Sequence, residues 1–152
     1  MMLDELDRRI LRYWQADASL SPAELGERVG LTSGKVARRL AKMQEAGVVQ
    51  GVSAIVDWAA LGYAVEVSLR VTLDKTVARA FDDFIEAARA VPEVIEIQTF
   101  LGRVDVRLNI IARDMAHYHD IYRDRILTLP HIADIEALMQ IARIKSEEAL
   151  PL

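Results

Sequence analysis

The 152-residue chain has no cysteine, which excludes disulfides, thiolate metal sites and cysteine nucleophiles and fits a reducing compartment. It also lacks any apolar run near the roughly 20 residues needed to span a bilayer. The opening MMLDELDRR is charged and unlike a signal peptide, so the expectation is a cytoplasmic protein with no membrane partner. Only three histidines occur, His117, His119 and His131. The first two stand two residues apart and point about 200° from each other on a helix, so they cannot chelate one ion as an i, i+4 pair does. They read as solvated helix histidines. There is no Gly-rich phosphate loop, no Ser or Thr in a nucleophile elbow, and no isolated carboxylate pair that spacing would bring together. No catalytic residue, metal or cofactor is therefore expected, and the reading is a non-enzyme.

An excess of positive charge is missing too, since the formal net charge is −4. The charge is unevenly divided: residues 1–50 hold 8 basic and 7 acidic residues (+1), whereas residues 51–152 hold 11 and 16 (−5). Bulk charge therefore hides a less acidic N-terminal third. With 52% apolar residues the chain can bury a good core, although an N-terminal piece of about 50 residues is near the lower limit for independent stability.

The most informative stretch is SPAELGERVGLTSGKVARRLAKMQEAGVVQ, residues 21–50. Ser21 is placed to cap a helix, Pro22 suits its first position, and Glu24 completes a capping box. Leu25 and Val29 form one apolar stripe, and Gly30 supplies the positive φ that ends the helix, leaving Gly30-Leu31 as the turn. Thr32 is the next cap, and Val36, Leu40 and Met43 bury one face of a second helix. Ser33, Lys35, Arg38, Arg39 and Lys42 lie outside that stripe, four cations with no acid. Such a pair is a helix-turn-helix over 22–41, and the implied partner is double-stranded DNA. The expected DNA-side residues are Pro22, Thr32, Ser33, Gly34, Lys35, Arg38, Arg39 and Lys42, with Arg38 and Arg39 toward base edges and Lys42 at a phosphate. Gly34 costs about 1 kcal/mol against Ala in a helix, which close approach by a ligand backbone would explain. The segment Val48 to Val56 reads as a short β-strand following the second helix.

Ahead of the motif, Leu3, Leu6, Ile10, Tyr13 and Trp14 mark a further helix over 3–16 that completes a three-helix core. Arg8, Arg9 and Arg12 read as its solvated face. Behind it, DWAALGY, residues 57–63, breaks periodicity. The domains are thus expected at 1–57 and 64–147.

From Ala64 the period switches. Val65 to Leu73 alternates as a half-buried strand; Val77, Phe81, Phe84, Ile85 and Ala88 line a helix stopped by Pro92. Ile95 to Leu101 and Val104 to Ile110 read as a hairpin around Gly102-Arg103. Asp114 caps a helix running through Leu129, and Ile132 to Lys145 reads as the last strand. The order βαββαβ is a ferredoxin-like unit, so the fold class is α+β. Right-handed crossovers place both helices on one face of the sheet. The bare face would carry Glu66, Arg70, Glu96, Gln98, Arg107, Glu136 and Gln140, and a second copy of the same sheet is the expected cover, giving a homodimer.

Four segments, LDELDRRIL, LGERVGLTSGKVARRLAKMQEAGVVQG, the LGRVD turn and the closing IARIK, together resemble the Lrp/AsnC family of transcriptional regulators over nearly the whole chain. The resemblance implies a helix-turn-helix regulator whose C-terminal domain dimerises, often on to octamers, and binds a small effector, commonly an amino acid, near a Gly-x-x-Asp turn. Carried over, the effector residues are Leu101, Gly102, Arg103, Val104 and Asp105, facing Ile135, Glu136 and Ala137 on the last strand. The family usually has an aromatic before the aspartate and a hydroxylated residue on the facing strand; Val104 and Ile135 to Ala137 differ. By charge, Asp105 or Glu136 would take an ammonium and Arg103 a carboxylate. The equal alternative is a plain hairpin turn held by Asp105. Siroheme decarboxylases are similar in architecture, but carry histidine around the central hairpin, where QTFLGRVDVRLNIIA, residues 98–112, has none; a decarboxylase-like enzyme or a ligand-binding protein without gene regulation is the alternative reading.

Overall fold

Three side-chain caps start the first three helices. Asp4 accepts the Asp7 amide at 2.8 Å and Asp7 returns a bond to the Asp4 amide at 3.1 Å, a reciprocal box that opens α1 (Glu5–Ala16) and leaves Leu3 outside the helix. Ser21 and Glu24 exchange the same pair of bonds, 3.2 and 2.7 Å, before α2 (Pro22–Val29). Thr32 accepts the Lys35 amide at 3.3 Å and opens α3 (Ser33–Glu45). Ile10, Leu25, Val29, Val36, Leu40 and Met43 form the core of this bundle; fully burying a side chain of this size contributes about 1.5–3 kcal/mol.

The computed structural model describes residues 1–146 and 148–152 and divides into two compact units, Met1–Ile55 with Lys145–Leu152, and Val56–Ile144. The last residues return to α1. Gln15 and Leu150 exchange two hydrogen bonds of 2.5 and 2.9 Å, and the Arg12 Nε donates to the Leu152 carbonyl at 2.5 Å. Arg12, read as solvated, is therefore engaged.

The strand expected over Val48–Val56 does not form. Residues 50–57 carry no regular structure, and Val52, Ile55 and Val56 stand exposed. A strand needs a ladder partner, and among the described residues none of the four strands pairs with this segment.

In the second unit β1 (Val65–Leu73), β2 (Val94–Thr99), β3 (Val106–Ala112) and β4 (Ile132–Met139) pair antiparallel in the order β2-β3-β1-β4. Two helices, α4 (Ala80–Arg89) and α5 (Met115–Ile121), connect them, giving the ferredoxin-like α+β arrangement. Val67, Leu69 and Val71 from β1, Leu108 and Ile110 from β3, Phe84 and Ala88 from α4, and Tyr118 and Ile121 from α5 share one core. Both helices thus cover the same face. On the other face a row runs Gln98, Arg107, Arg70, Glu136 across all four strands.

Several boundaries differ from the sequence expectation. α4 starts at Ala80, so Val77 lies before it, and Phe81 faces outward. Asp74 accounts for the delay by accepting both the amide and the hydroxyl of Thr76, which holds a turn where helix was expected. A bulge between Val94 and Glu96 shifts the β2 register, turning Ile95 off the core face. Instead of a tight turn at Gly102-Arg103, six residues connect β2 to β3, and Leu101 is fully exposed. The helix after Asp114 widens into a π-type turn over Tyr122–Ile126. β4 ends at Met139, not Lys145: Met139 pairs with Val67, and past it the Gln140 amide makes one last bond, to the Glu66 carbonyl at 2.9 Å, one residue short of the start of β1 at Val65.

Candidate nucleic-acid interface and effector loop

The geometry between α2 and α3 depends on two glycines. Gly30 takes the left-handed conformation at φ 76°. Gly26 is buried, and a Cβ there would stand 2.3 Å from the Leu31 carbonyl oxygen, so only glycine lets α2 meet the turn this closely. The Gly26 carbonyl accepts both the Gly30 and Leu31 amides, at 2.8 and 3.0 Å. Gly26 is not among the residues expected from the sequence, although glycine inside a helix carries the same cost there as at Gly34. Gly34 itself has no atom within 4 Å of an added Cβ; nothing within the chain requires it.

α3 buries Val36, Leu40 and Met43. Thr32, Ser33, Lys35, Arg38 and Lys42 are exposed, and the three cations make no ion pair among the described residues. Pro22 is half-buried at the start of α2. Arg39 behaves differently: its Nη1 donates to both oxygens of Asp4, at 2.9 and 2.7 Å, and to Asp7 at 2.8 Å. Asp7 is only 3% exposed. Hydrogen bonds from the Asp7 backbone and from Arg39 hold the Asp4 carboxyl below its ordinary range, and the carboxylates of Asp4 and Asp7 raise the Arg39 guanidinium above its own. Neither acid was singled out by sequence reading, although D-x-x-D before an apolar run has capping-box spacing.

The expected effector residues do not converge within one chain. Asp105 is committed internally: its carboxylate accepts the Leu73 amide at 2.8 Å and pairs with the Lys75 ammonium. The Lys75 side chain, then the Leu73 amide, pull its pKa below the usual carboxylate range. The Asp105 amide donates to the Val71 carbonyl at 3.0 Å, and the Thr72 hydroxyl to the Arg103 carbonyl at 3.1 Å. Val71 on its other side pairs with Ile135, so β1 separates the loop from β4 by about 10 Å, two strand spacings. Ile135 packs on the core, and Glu136 projects from the opposite face beside Arg70. Leu101, Gly102 and Arg103 are exposed, Val104 is half-buried, and Ala137 lies opposite Leu69. A recess of about 220 Å³ adjoins Asp105, lined by Leu73, Lys75, Val77 and Phe81, and none of the β4 residues reaches it.

His117 is less solvated than expected, since its Nδ1 accepts the Arg113 amide at 3.0 Å. His131 lies 3.0 Å from Asp83 and adopts φ 65°. No group of three metal-ligating side chains occurs among the described residues, and no described helix is long and apolar enough to cross a membrane.

A capped helix-turn-helix whose second helix presents Lys35, Arg38 and Lys42 outward, in one chain with a ferredoxin-like sheet, defines a two-domain DNA-binding transcriptional regulator. The AsnC-type helix-turn-helix domain matches residues 3–44 and the Lrp/AsnC ligand binding domain residues 66–150. The chain belongs to the Lrp/AsnC family. It is 30% identical over 152 residues to the transcriptional regulator AzlB of Bacillus subtilis, covering 100% of this chain and 97% of that one. Over 132 residues it is 34% identical to a proline dehydrogenase transcriptional activator of Rhodobacter capsulatus, covering 87% and 86%. A Neisseria meningitidis transcriptional regulator solved as its L-Met complex superposes with a TM-score of 0.92 at 28% identity, covering 99% and 97%.

Proposed function

We propose that this chain is a non-catalytic regulator that reads operator DNA through α3, associates through its bare sheet face, and responds to an amino acid. The exposed, unpaired trio Lys35, Arg38 and Lys42 on α3 carries the DNA reading. Arg38 projects opposite the buried stripe and is assigned to base edges, where an arginine forks onto guanine; Lys35 and Lys42 flank it and suit phosphates. Pro22, Thr32, Ser33 and Gly34 line the approach, with the open space at Gly34 supporting close passage of the duplex backbone.

For the effector, Arg103 and Glu136 are the assigned charge partners, for a carboxylate and an ammonium respectively, because Asp105 is already held by Leu73 and Lys75. Since β1 separates them within one chain, a site using both draws them from neighbouring copies. The L-Met complex of the Neisseria meningitidis regulator supports an amino acid as the ligand class. The test is selection of binding sequences from a random duplex pool, followed by titration of the selected operator with and without each of the twenty amino acids. Enrichment of no sequence would end the DNA reading; an operator affinity that no amino acid shifts would end the effector reading.

A further inference from the structure

We infer that Arg39 does not contact DNA but acts as a positioning residue, clamping α3 to the Asp4-Asp7 cap of α1 so that Arg38 is presented to the bases. The inference rests on the reading of α3 as the DNA-recognition helix. Taking Val36, Leu40 and Met43 as the buried direction, the 100° turn per residue of an α-helix places Arg38 roughly 165° away, Lys35 and Lys42 about 110–130° away, and Arg39 only about 65° away. Arg39 therefore sits at the seam with α1. Its side chain is 29% exposed, and the side chain of Asp7 beneath it 5%.

Two arguments exclude a phosphate role. Drawing Arg39 out to DNA would leave the buried Asp7 carboxylate with only the Asp4 amide as a partner, which a buried charge resists strongly. Asp4, Asp7 and Arg39 together also carry one net negative charge, which repels a phosphate at that flank. The same three bonds restrict rotation of α3 about its axis. One helix position is 100°, so even a fraction of that rotation moves the Arg38 fork off a base pair. Sequence preference, rather than overall attraction to DNA, is what the clamp protects.

The test compares full-length Arg39→Gln, Asp4→Asn and Lys42→Ala with the unaltered protein, measuring affinity for the selected operator and for a random duplex across a salt series, with thermal melting alongside. Arg39→Gln is expected to lose about tenfold or more of the operator-over-random preference while its salt slope stays unchanged. Asp4→Asn, at an N-cap where asparagine also serves, removes the charge and one of the two acceptor oxygens that Asp4 gives Arg39, and should shift the same preference in the same direction. Lys42→Ala serves as the phosphate control, its slope falling by about one unit. A slope loss of about one unit in Arg39→Gln, with operator and random binding weakened alike, would overturn the inference. So would a lowered melting temperature with preference intact at temperatures where the protein is folded, because that is a purely structural role. If the unaltered protein prefers no operator, the DNA reading itself falls, and the clamp with it.

Discussion

The carboxylate of Asp105 accepts the backbone amide of Leu73 at 2.8 Å, tying the entry of β3 to the last residue of β1, 32 positions earlier. Leu73 is buried, so its amide loses its side-chain acceptor when Asp105 is truncated. Asp105→Ala should therefore lower the stability of the second unit by about 1–3 kcal/mol, read from the urea midpoint. An unchanged midpoint would remove the tether.

The same carboxylate has a pH signature. Its folded pKa is depressed by Lys75 and Leu73 from an ordinary value of 3.8. The stabilisation is thus complete above that value and is lost as the pH falls below it through the folded one. The difference in urea midpoint between the natural chain and Asp105→Ala should hold from pH 7 to 5 and shrink on acidification below about 4. A gap that stays constant down to pH 3 would assign the effect to packing instead.

Gly26 and Gly34 should respond oppositely to alanine. At Gly26 the new Cβ meets the Leu31 carbonyl at 2.3 Å, so the turn must open, at a cost of about 1–3 kcal/mol and with loss of operator binding. At Gly34 there is open space, and alanine should stabilise α3 by up to about 1 kcal/mol. Weaker DNA binding by a more stable Gly34→Ala protein would support close passage of the duplex there; unaltered binding would exclude it.

Arg38→Ala should weaken operator binding by about 1–3 kcal/mol and relax preference at one base position, with little change in binding to random duplex. Equal weakening on both duplexes would make Arg38 a phosphate contact.

On the bare sheet face Arg70 lies directly opposite Arg107, with Glu136 on the far side of Arg70. Adjacent like charges are unfavourable, and the Arg107 Nε is buried without a hydrogen-bond partner. Glu96 already lies 3.6 Å from Arg107, and a second sheet bringing acidic groups would offset the remaining crowding of positive charge. Sedimentation at micromolar concentration should give at least twice the 17.1 kDa chain mass, and Arg70→Glu should shift the species toward monomer. A monomer from the unaltered chain would remove the homodimer.

Much of this architecture was legible in local spacing. Ser21 with Glu24, and Thr32 before Val36, Leu40 and Met43, specify two capped helices through interactions spanning three or four residues, and the alternation from Val65 to Leu73 specifies a strand the same way. Those patterns need no knowledge of the rest of the chain, and with them came the βαββαβ order and the bare face. Where the last strand stops and whether Val48–Val56 pairs were not legible, since each depends on a neighbouring strand being present alongside.

The side chains at the site divide along the same line. That α3 is cationic outside its buried stripe follows from composition and the helical period. That Arg39 is taken out of that set by Asp4 and Asp7, and that Asp105 is taken by Leu73 and Lys75, was decided only when elements some 30 residues apart packed together. A charged side chain goes to whichever opposite charge the tertiary fold brings within hydrogen-bond reach, and neither its own periodicity nor its neighbours in the chain encode that distance.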